Sequence, residues 1–298
     1  MNEEGRTPFR SGFVAVLGRP NVGKSTIVNR LVGQKVSIVS DHPQTTRRRI
    51  SGVINRPGLQ LVLLDLPGFQ RPFDSLTRRM QATVDAALGE VDAALFVLNA
   101  DERLGGGDRF IAEAVAASRV FVLTVLNKTD IVATDRLPGC LAAAQELTGA
   151  AVRPVSALTG LGLDGVVADL AAAMPEGPVY FPGQVSSDQP VELLIAELIR
   201  EKALALTREE VPHAVAVEID SLEERRDRPL LEIEARLVVE TESQKGILIG
   251  KGGAVVKRIG SEARQEIEAV LGAQVFLGLR VKVRRRWRRD ESYVERLL

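Results

Sequence analysis

The sequence predicts an α/β protein in two parts: a mostly parallel sheet flanked by helices, then a smaller α+β domain. Three observations carry this. Apolar runs alternate with helical stretches from residue 13 to about 173, the pattern of strands joined by crossover helices. A glycine-rich loop, Gly18-Arg19-Pro20-Asn21-Val22-Gly23-Lys24-Ser25, follows the first apolar run. A stretch rich in Pro and Gly over 174–190 then separates this half from one with a different order of elements. A length of 298 residues also suits two domains.

The first strand is Phe13-Val14-Ala15-Val16-Leu17. The loop after it fits G-x-x-x-x-G-K-S/T. A buried strand ends, the chain turns over an anion, and a helix over 24–33 starts with its free N–H groups facing that anion. Lys24 is then expected to reach the terminal phosphates of a nucleotide, and the Ser25 hydroxyl to hold Mg²⁺. Between this helix and the next strand lies Gln44-Thr45-Thr46-Arg47. Thr46 is the residue assigned to complete the Mg²⁺ shell and sense the γ-phosphate. Strands over 48–55 and 59–65 meet through Asn55-Arg56-Pro57-Gly58, a turn that joins antiparallel neighbours. The second of them ends on Asp65-Leu66-Pro67-Gly68. An acid there suits a water-mediated Mg²⁺ contact, and Gly68 can bring its N–H to the γ-phosphate.

A helix over 75–89, a strand over 92–99 and a helix over 107–118 follow. Val120 to Leu126 is nearly continuous apolar sequence, as in a strand buried on both faces. It runs into Asn127-Lys128-Thr129-Asp130, at the carboxyl edge where α/β sheets bind ligands. A carboxylate there accepts from guanine N1–H and its exocyclic amine. Adenine offers no such pair of donors and would leave the carboxylate unpaired. A helix over 136–147, a strand over 152–155 and a helix over 163–173 complete this half. Ser156 and Ala157 follow that strand and can bring their backbone to the base O6.

The second half reads as a helix over 191–206, strands over 213–221 and 230–240, a short helix, a glycine loop, a long helix over 253–271 and a strand over 274–283. The loop is Gly250-Lys251-Gly252-Gly253. Alone, such a loop reads as a glycine-rich turn between helices; with helices on both sides and a basic block around it, its glycines would let an RNA backbone approach the main chain, and Lys251, Lys257 and Arg258 would add positive charge. The net charge of zero hides a separation. Residues 190–242 carry 7 Lys/Arg against 14 Asp/Glu, and residues 243–289 carry 12 against 3. A basic block of that size is a polyanion footprint. It ends in Arg284-Arg285-Arg286-Trp287-Arg288-Arg289, a segment suited either to RNA or to anionic lipid heads. Trp287 either stacks on a base or caps a core; the core reading is taken first.

Composition excludes other classes. A single cysteine, Cys140, forbids an intrachain disulfide and points to a reducing compartment; it reads as filler rather than a nucleophile. His42 and His213, the only histidines, are far apart, which argues against a zinc centre. No apolar run has the length of a membrane span, and the acidic N-terminus is unlike a secretory signal. A soluble cytoplasmic protein is expected; nothing in the sequence marks an oligomer, and a monomer is taken as the default.

Taken together, the five elements around the first half resemble the G motifs of a Ras-like GTPase. Asn21-Val22-Gly23-Lys24-Ser25 and Thr45-Thr46-Arg47 resemble the TrmE–Era branch. Gly246-Ile247-Leu248-Ile249-Gly250-Lys251-Gly252-Gly253 resembles the core of a KH domain, and the order of elements resembles its type II form. Gln244-Lys245-Gly246, Ile259-Gly260, Glu262-Ala263-Arg264, Val281-Lys282-Val283 and Trp287 add to the likeness. Over roughly residues 10–289 the chain is similar to the Era family.

The resemblance implies a Ras-like P-loop GTPase domain (1–174), a linker (175–190) and a type II KH domain (191–298). It implies GTP hydrolysis, with Lys24, Thr46 and Gly68 as catalytic groups. GTP and GDP would be held by Gly18 to Ser25, Asp65 to Phe69, Asn127 to Asp130, Ser156 and Ala157. Residues 34–50 and 66–80 would be switches. The implied partners are single-stranded RNA near the 3′ end of small-subunit ribosomal RNA, the small ribosomal subunit in its maturation, and the membrane surface. Phe69 stands where many relatives carry a water-orienting glutamine, and an apolar side chain cannot hold water; Gln70, next door, is expected to point elsewhere. Leu66 stands where a threonine is common, which disturbs no metal contact. Asn21 resembles an asparagine that binds K⁺ in some relatives, so K⁺ joins Mg²⁺ as an implied cofactor. Two other readings compete: a nucleotide-regulated scaffold at the membrane, and a P-loop ATPase, against which Asn127 and Asp130 count.

Overall fold

The computed structural model describes residues 8–42, 44–69, 72–118, 120–183, 185–207, 211–225 and 228–297. The chain forms two compact units. The first takes the chain as far as Ser37, resumes at Thr46 and includes Arg79–Asp188; the second takes Ile38–Thr45, Pro72–Arg78 and the chain from Gln189.

The first unit is built on a six-stranded sheet. In chain order the elements here are β1 (Arg10–Leu17), α1 (Lys24–Val32), β2 (Ile50–Arg56), β3 (Leu59–Asp65), α2 (Ser75–Leu88, in this unit from Arg79), β4 (Ala93–Asn99), α3 (Gly106–Ala117), β5 (Phe121–Asn127), α4 (Leu137–Thr148), β6 (Val152–Pro154) and α5 (Leu163–Ala173). The strand order is β2-β3-β1-β4-β5-β6. Only β2 runs antiparallel, paired to β3 with Arg56 opposite Leu59, so Pro57-Gly58 is the whole turn. β3 and β4 lie on opposite sides of β1. The chain therefore reverses direction across the sheet at β1, and the carboxyl end of that strand is where sheets of this kind bind ligands.

Side chains of β1 alternate between two cores. Val14 and Val16 join Ile27 and Val28 of α1 and Val166 and Leu170 of α5. Ala15 and Leu17 join Val84 of α2, Ile111 and Val115 of α3, and Ala144 of α4. Burial on both faces is why β3 and β4 are apolar almost throughout. Each aliphatic side chain so buried contributes about 1.5–3 kcal/mol.

The Pro-rich segment expected to be a linker packs on the first unit as far as Asp188. Gln60, fully buried on β3, explains this. Its Oε1 accepts the N–H groups of Tyr180 and Phe181 at 2.7 and 3.0 Å, and its Nε2 donates to the Phe181 carbonyl at 2.9 Å. Ser11 Oγ donates to the Pro178 carbonyl, and Val53 N–H donates to the Ser186 carbonyl, covering part of the β2 edge.

The second unit contains α6 (Val191–Leu206), α7 (Val211–Ala214), β7 (Ala216–Glu224), β8 (Leu230–Val239), α8 (Glu242–Ile249), α9 (Ala254–Leu271), β9 (Gln274–Val283) and α10 (Glu291–Leu297). Its sheet order is β7-β8-β9, antiparallel then parallel. Ile195, Leu198 and Ile199 of α6 and Ile259, Ala263 and Ile267 of α9 bury against Ile233, Ala235 and Leu237 of β8. Ile38, from the earlier segment of this unit, is buried in the same cluster.

One strand starts later than expected. The strand expected at 213 starts at Ala216, because Val211–Ala214 forms a helical turn with Pro212 near its start, where proline is tolerated. The basic tail is folded, with its tryptophan in the core as expected. Trp287 is fully buried and donates Nε1–H to the Ala214 carbonyl at 2.7 Å, with Tyr293 of α10 edge-on at 5.9 Å. It caps the core. Arg284 pairs with Asp290 at 2.6 Å and Arg288 with Glu240 at 2.7 Å. Arg285, Arg286 and Arg289 are left exposed.

Candidate functional site

The loop Gly18 to Ser25 leaves the carboxyl end of β1 and enters α1 at Lys24. Gly23 caps that helix with φ 98°, and a Cβ there would lie 2.2 Å from Asn127 Nδ2. Backbone and space both demand glycine. The amino end of α1 has no acidic residue in its first turn, so its N–H groups keep their positive potential. Lys24 is buried, and its Nζ donates to the Gly18 and Arg19 carbonyls at 3.2 and 3.1 Å. Burial pushes its pKa down to about 8, against the pull of the Asp65 carboxylate.

Ser25, Thr46 and Asp65 converge beside it. Ser25 Oγ donates to Asp65 Oδ2 at 2.7 Å and lies 3.0 Å from Thr46 Oγ1; Thr46 Oγ1 lies 3.4 Å from the same carboxylate oxygen. Asp65 is fully buried, and its Oδ1 has no partner. Burial pushes this carboxyl up, opposed by the Ser25 hydroxyl and Lys24. An orphaned buried carboxylate oxygen is costly by itself. With two hydroxyls it makes a set of hard oxygen donors that fits Mg²⁺ directly or through water.

The loop after β3 runs against the phosphate loop: Phe69 N–H donates to the Gly18 carbonyl at 3.2 Å. The Phe69 ring itself is buried in the core around α3, 5.1 Å from the Phe110 ring. Gln70 lies outside the described residues.

At the end of β5, Asn127 ties three loops together. Its Nδ2 donates to the Val22 carbonyl at 2.8 Å and its Oδ1 accepts the Ala157 N–H at 2.9 Å. Lys128 adopts φ 66°, and Thr129 donates through Oγ1 to the Val155 carbonyl at 2.9 Å. Ser156 is buried and its Oγ accepts Thr159 N–H, while the Asp130 carboxylate stays exposed. The carboxyl edge of the sheet thus offers an anion cradle, a hard-cation site and a carboxylate able to accept two donors.

In the second unit Thr241 opens α8 with a capping box, exchanging hydrogen bonds with Gln244. The helix ends at Gly250, and Gly250, Gly252 and Gly253 all have positive φ. The loop can take this path only because three of its four residues are glycine. Lys251, Lys257 and Arg258 are exposed around it, Arg258 paired with Glu262 at 2.7 Å. Ile247, on the last turn of α8, is 42% exposed.

Sequence reasoning missed Asn29 and Asp108. Asn29 Oδ1 accepts the N–H groups of Val36 and Ser37, each at 2.9 Å, and its Nδ2 donates to the Ser37 carbonyl at 2.7 Å. It pins the chain where the first unit breaks off. Asp108 is fully buried and pairs with Arg19. No motif marks either one: Asn29 acts on backbone groups of Val36 and Ser37 just beyond its helix, and Asp108 on a side chain that only folding brings near.

Two family models match the chain: 50S ribosome-binding GTPase over residues 13–128 and KH domain over residues 210–288. The chain is 47% identical over 296 residues to GTPase Era of Mycobacterium avium (strain 104), covering 98% of this chain and 99% of that one. It is 45% identical over 291 residues to GTPase Era of Geobacter metallireducens, covering 97% and 98%. Among solved structures it is similar to Era in complex with MgGDPNP and nucleotides 1506–1542 of 16S ribosomal RNA, with TM-score 0.93, 39% identity and coverage of 97% and 98%. A variant of Aquifex aeolicus Era bound to GDP·AlF4⁻ matches with TM-score 0.93 and 38% identity over the same shares.

Proposed function

The chain belongs to the Era family of GTPases, and from that premise we propose that it is an RNA-binding GTP switch acting at the 3′ end of small-subunit ribosomal RNA during subunit maturation. The observation that carries the proposal is the convergence of Ser25, Thr46 and Asp65 beside Lys24, in a chain that continues into an exposed Gly250–Gly253 loop.

The N–H groups from Arg19 to Ser25 cradle the phosphates, and the Lys24 ammonium neutralises their terminal oxygens. Ser25, Thr46 and Asp65 are the residues that would hold Mg²⁺, and the ion would supply positive charge to neutralise the phosphates. Thr46 and the Gly68 N–H are the groups that register whether a γ-phosphate is present. Asp130 accepts from the guanine N1–H and amine, Asn127 keeps the base loops in register with the phosphate loop, and the Ser156–Ala157 backbone approaches O6. With Phe69 turned into the core, no side chain at that position orients the attacking water. Hydrolysis then rests on preorganised charge and on help from a cation or a partner.

Asn21, at φ 64° in the phosphate loop, is the residue proposed to bring K⁺ to the site. GTP turnover is expected to rise measurably when K⁺ replaces Na⁺ at matched ionic strength, by up to about 10²-fold if the ion acts as one full electrostatic contact. Equal turnover in the two buffers would remove K⁺ from the mechanism.

The RNA site is proposed at the Gly250–Gly253 loop, with Lys251, Lys257 and Arg258 at the phosphates. Crosslinking of the GTP-bound chain to total cellular RNA is expected to recover the 3′ end of small-subunit RNA; recovery of no RNA would favour the scaffold reading. Lys251→Asp is expected to weaken binding of that RNA at low salt and to lower the slope of log affinity against log salt by about 1. An unchanged affinity and slope would place the RNA elsewhere. The proposed setting is the cytoplasm, as a monomer. None of the described helices is long and apolar enough to cross a membrane. Peripheral contact with anionic lipid would fall to Arg285, Arg286 and Arg289, because Arg284 and Arg288 are paired internally.

A further inference from the structure

A glycine-rich phosphate loop has little stiffness of its own. Here the peptide groups of Gly18 and Arg19 are nonetheless a common reference. Their carbonyls accept Lys24 Nζ at 3.2 and 3.1 Å, and the Gly18 carbonyl also accepts Phe69 N–H at 3.2 Å. A shift of this turn would move Lys24 and the Gly68–Phe69 peptide together. Something outside the loop must hold it.

The Arg19 side chain is committed to that task. Its Nε donates to Asp108 Oδ1 at 2.8 Å and its Nη2 to Glu102 Oε2 at 2.7 Å. Asp108, in the first turn of α3, is fully buried, and its other oxygen accepts Gly105 N–H at 2.8 Å. Glu102 is held in turn by Asn99 at the end of β4, whose Nδ2 donates at 2.7 Å. The guanidinium therefore bridges the end of a central strand and the start of a helix. Gly107 leaves the room for it: a Cβ there would lie 2.8 Å from Arg19 Cδ. A buried carboxylate that loses its cation is strongly unfavourable, so Asp108 holds Arg19 as firmly as Arg19 holds the loop.

We infer that Arg19 is a positioning residue for hydrolysis: its pairing with Asp108 sets the height of the Gly18–Arg19 turn, and through that turn the places of Lys24 and Gly68. The inference rests on the phosphate-loop reading. Binding of fluorescent GDP to the parent chain tests that reading by itself; a parent that binds none overturns both.

The test compares Arg19→Ala, Arg19→Lys, Asp108→Asn and the Arg19→Ala/Asp108→Asn double variant of the full chain. Single-turnover GTP hydrolysis, GDP affinity and thermal melting are measured for each. Asp108→Asn keeps the shape and the acceptor for Gly105, so it guards against simple misfolding. Arg19→Ala and Asp108→Asn are each expected to slow single-turnover hydrolysis by about 10-fold or more, as small misplacements of catalytic groups do. The loss in GDP affinity should be smaller. The double variant should be no slower than either single one, since both break the same contact. Arg19→Lys should restore part of the rate, because an ammonium replaces the planar fork with one point charge. Rates within twofold of the parent overturn the inference. So do losses that add in the double variant, or a lowered melting temperature with hydrolysis per bound GTP unchanged.

Discussion

Lys24→Ala is expected to lower GTP turnover by about 10²–10³-fold, the cost of removing one donor aimed at developing charge, and to weaken GTP and GDP binding together. The physical reason lies in the environment of this ammonium. It is buried, it rests on two loop carbonyls, and its pKa is pushed down to about 8. A phosphate supplies the counter-charge that burial withholds, so nucleotide binding should raise that pKa. Binding of GDP at pH 8.5 is then expected to take up protons, seen as a calorimetric heat that depends on the buffer. At pH 6.5 Lys24 is already charged, and it should contribute no uptake. Stability follows the same sign. A folded pKa of about 8, below the usual lysine value of 10.5, means the unfolded chain binds more protons between those limits. The nucleotide-free chain should gain stability from this group as pH rises through that window, and carry the full penalty below it. Normal hydrolysis by Lys24→Ala would refute the assignment of the phosphate loop.

The second large effect is a change of base. Asp130→Asn is expected to exchange guanine preference for xanthine preference. The carboxylate accepts from N1–H and the exocyclic amine of guanine. An amide can accept from N1–H but must donate to its second partner, which xanthine offers as a carbonyl. The variant should bind GTP about 10⁴-fold more weakly, the scale for a site left with mismatched polar groups. XTP should compete where GTP no longer does, and ATP should gain nothing. Because Asp130 is exposed, the melting temperature should not move, which separates a change in recognition from a change in folding. Undiminished GTP affinity would sink the base-reading role.

Most of the first unit is legible in the sequence because its strands are buried on both faces. Leu59–Asp65 and Ala93–Asn99 are buried from end to end, so their apolar runs are continuous and bounded by turns. In the second unit α9 shows the stripe of Ile259, Ala263 and Ile267 that its packing needs. Residues 287–297 gave no such signal. Their buried members, Trp287, Tyr293 and Val294, are too few among charges to announce a helix. The Pro-rich segment after α5 reads as a free linker because nothing local shows its anchors: Gln60, an ordinary polar residue within a strand, is hydrogen-bonded to Tyr180 and Phe181, and Ser11 and Val53 to Pro178 and Ser186.

The chemistry of the loops is local and can be read directly. Glycines at 18 and 23, a lysine and a serine at a helix start, and an acid after a buried strand commit the backbone and its donors within a few residues. Partnership between those loops is not local. Ser25, Thr46 and Asp65 meet across 40 residues of chain, and Arg19 finds Asp108 across 89. The inward turn of Phe69, and the division of the tail arginines into paired and exposed, have the same origin. Each depends on which side chains packing brings within about 3 Å, the reach of a hydrogen bond. That reach is set by the stacking of helices on the two faces of a sheet, and no run of neighbouring residues contains it.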